Sequence, residues 1–355
     1  MSLNDFRAKI DALDAQIVEA LNERAAVAAE IGRWKQKNGV PIYSPQRERK
    51  VYEKVLGLNG GPLQDSALRA IYREIMSGAL ALEKPLTICY LGPDGTFTHQ
   101  AALGKFGASV EYHPAKSIDS VFTEVAMARA DYGVVPIENT TEGSVSDTLD
   151  MFIDTKLQIC SEILLPIHHN LMAKCRLHEI ERVYSKPQVY GQCKTWLQNY
   201  LANVPKVDVD STTRAAQIAR DEAHAAAIAH REAAHLYELE ILADHIEDHP
   251  HNATRFFVLG KDMPGPTGSD KTSIMCFLKN RAGALVEILL PFKEHDVNLT
   301  QLVPWPTKRR AWDYCFFIDL EGHCEDTLVK KTLAELEELC VEMKILGSYP
   351  KAEAE

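Results

Sequence analysis

Leu3, Phe6, Ile10, Leu13, Ile17 and Leu21 recur at three- and four-residue steps, and Ala25, Ala28 and Ile31 prolong the stripe. No breaker interrupts it before Asn38-Gly39, so the spacing predicts one helix from about residue 3 to 37. That is long for a globular protein. The Ser44-Pro45 pair supplies the N-cap and first-turn proline of a second helix, ending near Gly57. A third starts at Asp65 and carries Leu68, Ile71, Tyr72, Ile75, Met76 and Leu82. Two shorter helices cannot cover the first, so this segment predicts an intertwined dimer.

The period changes at Glu83-Lys84-Pro85. From Leu86 to about Lys261 short apolar runs alternate with helical stretches, as in an α/β unit. Asp262-Met-Pro-Gly-Pro-Thr-Gly-Ser-Asp270 reads as a linker. Beyond it come a strand (272–278), a helix (283–294), two strands (297–303 and 312–320), a helix (326–339) and a strand near 343–346. This βαββαβ order is that of an α+β ferredoxin-like domain. The expected domains are residues 1–84, 85–262 and 270–350, in keeping with a chain of 355 residues. No apolar run is long enough to span a bilayer, the N-terminus lacks a signal-peptide core, and a net charge of −11 argues against nucleic acid. The expectation is a cytoplasmic protein with no membrane or nucleic-acid partner. Eight cysteines without a Cys-x-x-Cys pair read as reduced thiols, neither a disulfide framework nor a zinc site.

Chemistry concentrates at the ends of strands. Val134–Ile137 breaks into the polar loop Glu138–Ser144, and an amphipathic run follows. Ser144 and Asp147 read as a capping box at that helix start. Free N–H groups and the helix dipole favour an anion there. Gly92–Thr98, Ser185–Gln188 and Ser211–Thr213 stand at three similar junctions, where open α/β sheets bind ligands. Thr254 and Arg255 open a further strand. His245 and His249, near Asp244, Asp248 and His251, read as a polar loop rather than a metal site.

In the helical segment Arg24 and Lys35 lie eleven residues apart, on one helix face bordered by Ala28 and Ile31. Arg47 and Glu48 add a cation and a carboxylate. Arg7 sits about 25 Å from Arg24 along the same helix, so it could serve their pocket only from a second chain. Converging cations suit a small dianion. Phe6-Arg-Ala-Lys-Ile-Asp-Ala-Leu-Asp14, Asn22-Glu-Arg24, Lys35 and Gln46-Arg-Glu-Arg49 resemble the all-helical chorismate mutase family. The resemblance implies that Arg7 of a partner chain, Arg24 and Arg47 grip the carboxylates of chorismate. Lys35 would hydrogen-bond the ether oxygen and Glu48 the ring hydroxyl. Such a rearrangement needs only a held conformer and stabilised charge. Ser44 stands where an aspartate often sits, and Glu83 where a glutamine would also reach the ether oxygen. Glu83 must be protonated to donate, so mutase activity should rise toward acid pH.

Gly92–Thr98, Val135–Gly143, Leu165-Pro-Ile-His-His169, Ser185–Cys193, Ser211–Thr213 and Asn252–Phe256 together resemble the prephenate dehydratase family. The resemblance implies a two-lobed fold like that of periplasmic binding proteins, which turns prephenate into phenylpyruvate in its cleft. Thr254 would assist departure of the ring hydroxyl. Asn139, Thr140, Ser185 and Gln192 would position the substrate, and Arg255 would orient the loop or meet a carboxylate. Lys186 replaces a histidine common at its position.

The βαββαβ segment, with Gly283-Ala284-Leu285-Val286 at its first helix start, resembles the phenylalanine-sensing ACT domain. Its partner motif, normally Glu-Ser-Arg-Pro, reads Val303-Pro304-Trp305-Pro306, which implies weak or unconventional feedback. The whole resembles a bifunctional chorismate mutase–prephenate dehydratase without a cofactor, a homodimer or homotetramer, with phenylalanine as effector. An arogenate-preferring dehydratase with one degenerate activity and a non-catalytic two-lobed sensor stand as alternatives.

Overall fold

The computed structural model describes residues 2–279, 281–307 and 314–352. Contacts divide the chain into two compact units, Met1–Ile88 with Leu103–Tyr112, and Cys89–Ala102 with His113–Glu355.

In the first unit, α1 (Leu3–Asn38) is one continuous helix. The Ser2 hydroxyl accepts from the Asp5 N–H at its start, and left-handed Gly39 (φ 66°) ends it. Pro45 opens α2 (Pro45–Gly57), where the Ser44 hydroxyl accepts from the Arg47 N–H. α3 (Asp65–Glu83) packs on α1. A Cβ on Gly32 would lie 2.6 Å from Glu83 Cα, so only glycine admits the end of α3 here. Within α1 only Ala28 and Gly32 are buried. Leu3, Phe6, Ile10, Leu13, Ile17 and Leu21 are exposed, an apolar stripe uncovered by the described residues of this chain.

The second unit begins within β1 (Thr87–Leu91), α4 (Phe97–Phe106) and β2 (Glu111–Ala115), then runs through α5 (Ile118–Ala126), β3 (Tyr132–Asn139), β4 (Gly143–Ser144), α6 (Ser146–Asp154) and β5 (Gln158–Pro166). A second lobe follows: β6 (Asn170–Ala173), β7 (Arg182–Ser185), α7 (Pro187–Gln192), α8 (Lys194–Tyr200), β8 (Lys206–Asp208), α9 (Thr212–Asp221), β9 (Ala225–Ala229), α10 (Arg231–Leu236) and β10 (Glu240–Ala243). The chain then returns as β11 (Ala253–Gly260). The sheet orders are β2-β1-β3-β11-β5 and β10-β6-β9-β7-β8. Because β11 inserts antiparallel between β3 and β5, the second lobe is an insertion into the first sheet, crossed twice by the chain.

The C-terminal segment is β12 (Asp270–Phe277), α11 (Ala284–Glu294), β13 (Leu299–Pro306), β14 (Tyr314–Glu321), α12 (Thr327–Leu339) and β15 (Glu342–Pro350). It forms an antiparallel sheet in the order β13-β14-β12-β15. The βαββαβ pattern is therefore present, with residues 312 and 313 of the expected third strand outside the described residues. Met275, Phe277, Phe317, Leu346 and Tyr349 join one hydrophobic core with Val135, Phe152, Ile159 and Phe257 of the first lobe. β15 lies against β5 so closely that a Cβ on Gly347 would be 2.3 Å from the Ile159 carbonyl oxygen.

Two local expectations are corrected. Ser144 does not cap a helix: it pairs with Glu138 in β4, and α6 starts at Ser146 behind Val145 without a side-chain cap. The 262–270 stretch is less slack than its composition suggests, because the Asp270 carboxylate accepts from Thr267 N, Thr267 Oγ1 and Gly268 N. Among the described residues no cysteine forms a disulfide. Among the described residues no helix is long and apolar enough to cross a membrane.

Candidate active sites

Two groups of polar side chains stand apart from the structural hydrogen bonding. In the helical unit, Lys35 Nζ donates to Glu83 Oε2 at 2.7 Å and to the Ile42 carbonyl at 2.6 Å. Gln36 donates to the Glu83 carbonyl at 2.6 Å. The close approach at Gly32 brings the end of α3 to Lys35, a role the sequence reading missed although a glycine inside a long helix is a signal of it. Glu48 Oε2 accepts from Tyr43 Oη at 2.9 Å and from Lys105 Nζ at 2.7 Å. Arg24 is half-buried and Arg47 exposed. Among the described residues no ion pair engages Arg7, Arg24 or Arg47. Arg7, at the far end of α1, does not join the others within this chain.

In the α/β unit the register of β11 against β3 places Thr254 opposite Asn139. Asn139 Nδ2 donates to Thr254 Oγ1 at 2.8 Å and to Asn252 Oδ1 at 2.9 Å. Its Oδ1 accepts from Thr141 N at 2.9 Å, Thr141 Oγ1 at 2.6 Å and Glu142 N at 3.1 Å. Two of those donors are backbone N–H groups, which fixes the amide's orientation. Both ends of Asn139 are thus engaged by protein, and Thr254 receives a hydrogen bond that leaves its own hydroxyl proton free to be donated.

The other expected binders divide. Thr140 Oγ1 accepts from Ala253 N at 3.0 Å and ties its loop to β11. Gln192 bridges the lobes: its Nε2 donates to Glu142 Oε1 at 3.1 Å and Thr141 Oγ1 at 3.3 Å, and its Oε1 faces His169 Nε2 at 2.6 Å. Ser185 is corrected. It is fully buried and donates to the Ile228 carbonyl at 2.8 Å, so it braces the sheet rather than meeting a ligand. Arg255 is corrected too. Next to Thr254 on a strand it faces the opposite side, where Glu162 (2.7 Å), Asp319 (2.5 Å), Gln301 (3.1 Å) and Tyr349 (3.0 Å) hold its guanidinium. It is buried against the C-terminal sheet.

Histidines to which the sequence reading gave no role line the lobe junction. His230 Nε2 and Thr213 Oγ1 both donate to the Gly95 carbonyl, the latter at 2.7 Å. Phe97 packs its ring on His230 and His169 at 5.1 and 6.0 Å. Burial pushes the imidazoles of His169 and His230 below their ordinary value, so both are neutral at pH 7. In each the Nδ1 is buried with no hydrogen-bond partner among the described residues. Nearby, Glu247 holds His168 Nδ1 at 2.7 Å and the His169 N–H at 2.9 Å, with His245 stacked on His168 at 4.0 Å. That trio, not His245 with His249, is the group among the described residues with metal-ligand spacing.

On the C-terminal sheet Gly283 is left-handed (φ 82°) at the start of α11, and Val286 is exposed. Arg281 and Glu287 form an ion pair across this turn. Trp305 of β13 donates its indole N–H to Asp150 of α6 at 2.9 Å. Its ring packs on the first-lobe core.

Residues 88–264 match the prephenate dehydratase family, and residues 6–84 match chorismate mutase type II. The bifunctional chorismate mutase/prephenate dehydratase of Aquifex aeolicus (strain VF5) is 48% identical over 99% of this chain and 98% of its own length. That of Escherichia coli (strain K12) is 32% identical over 97% and 95%. Among solved structures, the prephenate dehydratase of Arthrobacter aurescens in complex with L-Phe superposes with a TM-score of 0.70. It is 33% identical and covers 75% of this chain and 90% of its own.

Proposed function

The chain belongs to the bifunctional chorismate mutase/prephenate dehydratase family, enzymes of phenylalanine biosynthesis, and from that premise we propose which residues carry each step. In the mutase step Arg24 and Arg47, with Arg7 of a second copy, bind the two carboxylates of chorismate. Lys35 donates to the ether oxygen as its C–O bond breaks and charge gathers there, and Glu48 accepts from the ring hydroxyl. Preorganised charge suffices, since no proton moves and no covalent intermediate forms. The exposed apolar stripe of α1 supports the second copy, which would also complete the site.

In the dehydratase step Thr254 donates to the departing ring hydroxyl. Electrons of the breaking C–CO2 bond aromatise the ring, and the hydroxyl leaves with its C–O pair, becoming water on taking up a proton. The hydrogen bond from Asn139 to Thr254 carries this assignment, because it turns the threonine proton outward. Gln192 then serves lobe closure and substrate contact together, and Asn139 and Thr140 shape the threonine's surroundings. The C-terminal segment acts as an ACT domain that takes phenylalanine at Gly283–Val286. Trp305, engaged with Asp150, offers no charged contact to an amino acid there, which supports weak feedback.

The test follows chorismate to prephenate and on to phenylpyruvate in full-length variants. Arg24→Ala should abolish only the first step and Thr254→Ala only the second. Loss of both steps in either variant, with the fold intact, would overturn the division.

A further inference from the structure

Lys105 is absent from the motifs of either activity, yet it forms an ion pair with a residue of the mutase site. It follows Glu48 by 57 positions and lies within residues 88–264, the stretch matched to prephenate dehydratase. The last residues of α4, from Leu103 on, nevertheless pack with the helical unit. Lys105 Nζ reaches Glu48 Oε2 at 2.7 Å, with only 22% and 13% of the two side chains exposed. Tyr43 Oη donates to the same oxygen at 2.9 Å. The ammonium lies 6.0 Å from the centre of the Tyr43 ring, and Tyr43 in turn packs on Phe106 at 5.0 Å. Glu48, Tyr43 and the end of α4 are therefore one packed cluster.

Both donors land on Oε2, and among the described residues nothing engages Oε1. A carboxylate pinned by one oxygen has a fixed rotamer and presents the other as an acceptor. It also carries a negative charge beside a site meant for a dianion, and a cation at 2.7 Å offsets that charge. We propose that Lys105 is a positioning residue of the mutase: it aims Glu48 Oε1 at the substrate hydroxyl and cancels the repulsion Glu48 would exert on chorismate. The first reaction thus depends on a side chain supplied by the stretch that belongs to the second. Lys105 rests here on Glu48 being the acceptor of that hydroxyl.

The test compares full-length Lys105→Met, Lys105→Arg, Glu48→Gln and the Lys105→Met/Glu48→Gln double variant, measuring chorismate and prephenate turnover on the same samples. Lys105→Met should raise KM for chorismate about tenfold with kcat changed less than about threefold. Arginine should restore most of the loss, and the double variant should be no worse than Glu48→Gln alone. Prephenate turnover and the urea midpoint should stay at the parent values. If Glu48→Gln is impaired while Lys105→Met keeps its parent KM, Lys105 has no such role. A normal Glu48→Gln removes the acceptor assignment itself. Losses in Lys105→Met that strike both activities, lower the urea midpoint and resist rescue by arginine would assign Lys105 to folding alone and refute the proposal.

Discussion

Replacing Asn139 by aspartate tests the dehydratase chemistry at a single atom. The amide nitrogen that donates to Thr254 Oγ1 at 2.8 Å becomes a carboxylate oxygen. Size is conserved, and Oδ1 still accepts from Thr141 N and Glu142 N, so the loop keeps its backbone anchors. The donor bond to Asn252 Oδ1 is kept only if the Asn252 amide turns to donate, and the bond to Thr254 must reverse. Thr254 can satisfy an adjacent carboxylate only by giving it the hydroxyl proton, which is then withdrawn from the leaving group. Loss of one preorganised donor to a developing charge costs about 10²–10³ in turnover, near 3–4 kcal/mol. Asn139→Asp should therefore lower kcat for prephenate about a hundredfold, close to the level of Thr254→Ala, with a small change in KM. Chorismate turnover by the same molecules supplies an internal control for concentration and folding. If Asn139→Asp retained more than about a third of the parent kcat, orientation of the threonine hydroxyl by Asn139 would be refuted.

Lys35 donates to Glu83, an acceptor that competes with the ether oxygen; Glu83→Gln, a weaker acceptor of the same shape, should raise mutase kcat/KM, whereas an unchanged or lower value in the variant would exclude the competition. Arg255→Met leaves Asp319 buried without its cation, while Lys271 still reaches Glu162 at 3.1 Å, so urea unfolding should show a loss of about 3–5 kcal/mol; a loss under about 1 kcal/mol would contradict the buried-charge account. Folding holds His169 and His230 below their ordinary value of about 6.5. The unfolded chain takes up protons first, so stability is complete above that value and falls with pH below it, by at most about 1.4 kcal/mol per pH unit for each ring. Urea midpoints between pH 7.5 and 5.5 should record this, and a His230→Gln variant with an undiminished slope would assign the effect elsewhere.

What the sequence disclosed was periodicity and the residue types that chemistry requires. The three helices and the βαββαβ order follow from apolar spacing and local caps, which a single strand of text contains. Thr254 and Asn139 were found as a pair of motifs, but their direct bond depends on β11 folding back beside β3 from more than a hundred residues away. Arg255 could have been corrected beforehand: neighbours on a strand face opposite ways, so Thr254 and Arg255 cannot both meet one ligand. Ser185 offered no such hint, because a hydroxyl at a strand end looks the same whether it meets a ligand or the Ile228 carbonyl. The capping box at Ser144 failed because pairing with Glu138 satisfied the backbone first. Lys105 was invisible, since a lysine on an amphipathic helix ordinarily reads as a solvated charge.

The passage around residues 262–270, rich in glycine and proline, looks like a place to divide the protein. Chain continuity there matters little to cohesion, because Gly347 against Ile159 and Arg255 among Glu162, Asp319 and Tyr349 hold the pieces from both sides. A protease nick at Gly265 would leave two fragments that co-elute as one particle under native conditions. A stop codon at the same point would be far more damaging: it would strand an arginine, a glutamate and an apolar patch at a raw surface. For anyone building shortened or recombined versions of this enzyme, the usable seam is therefore drawn by the third dimension and not by the proline-rich passage.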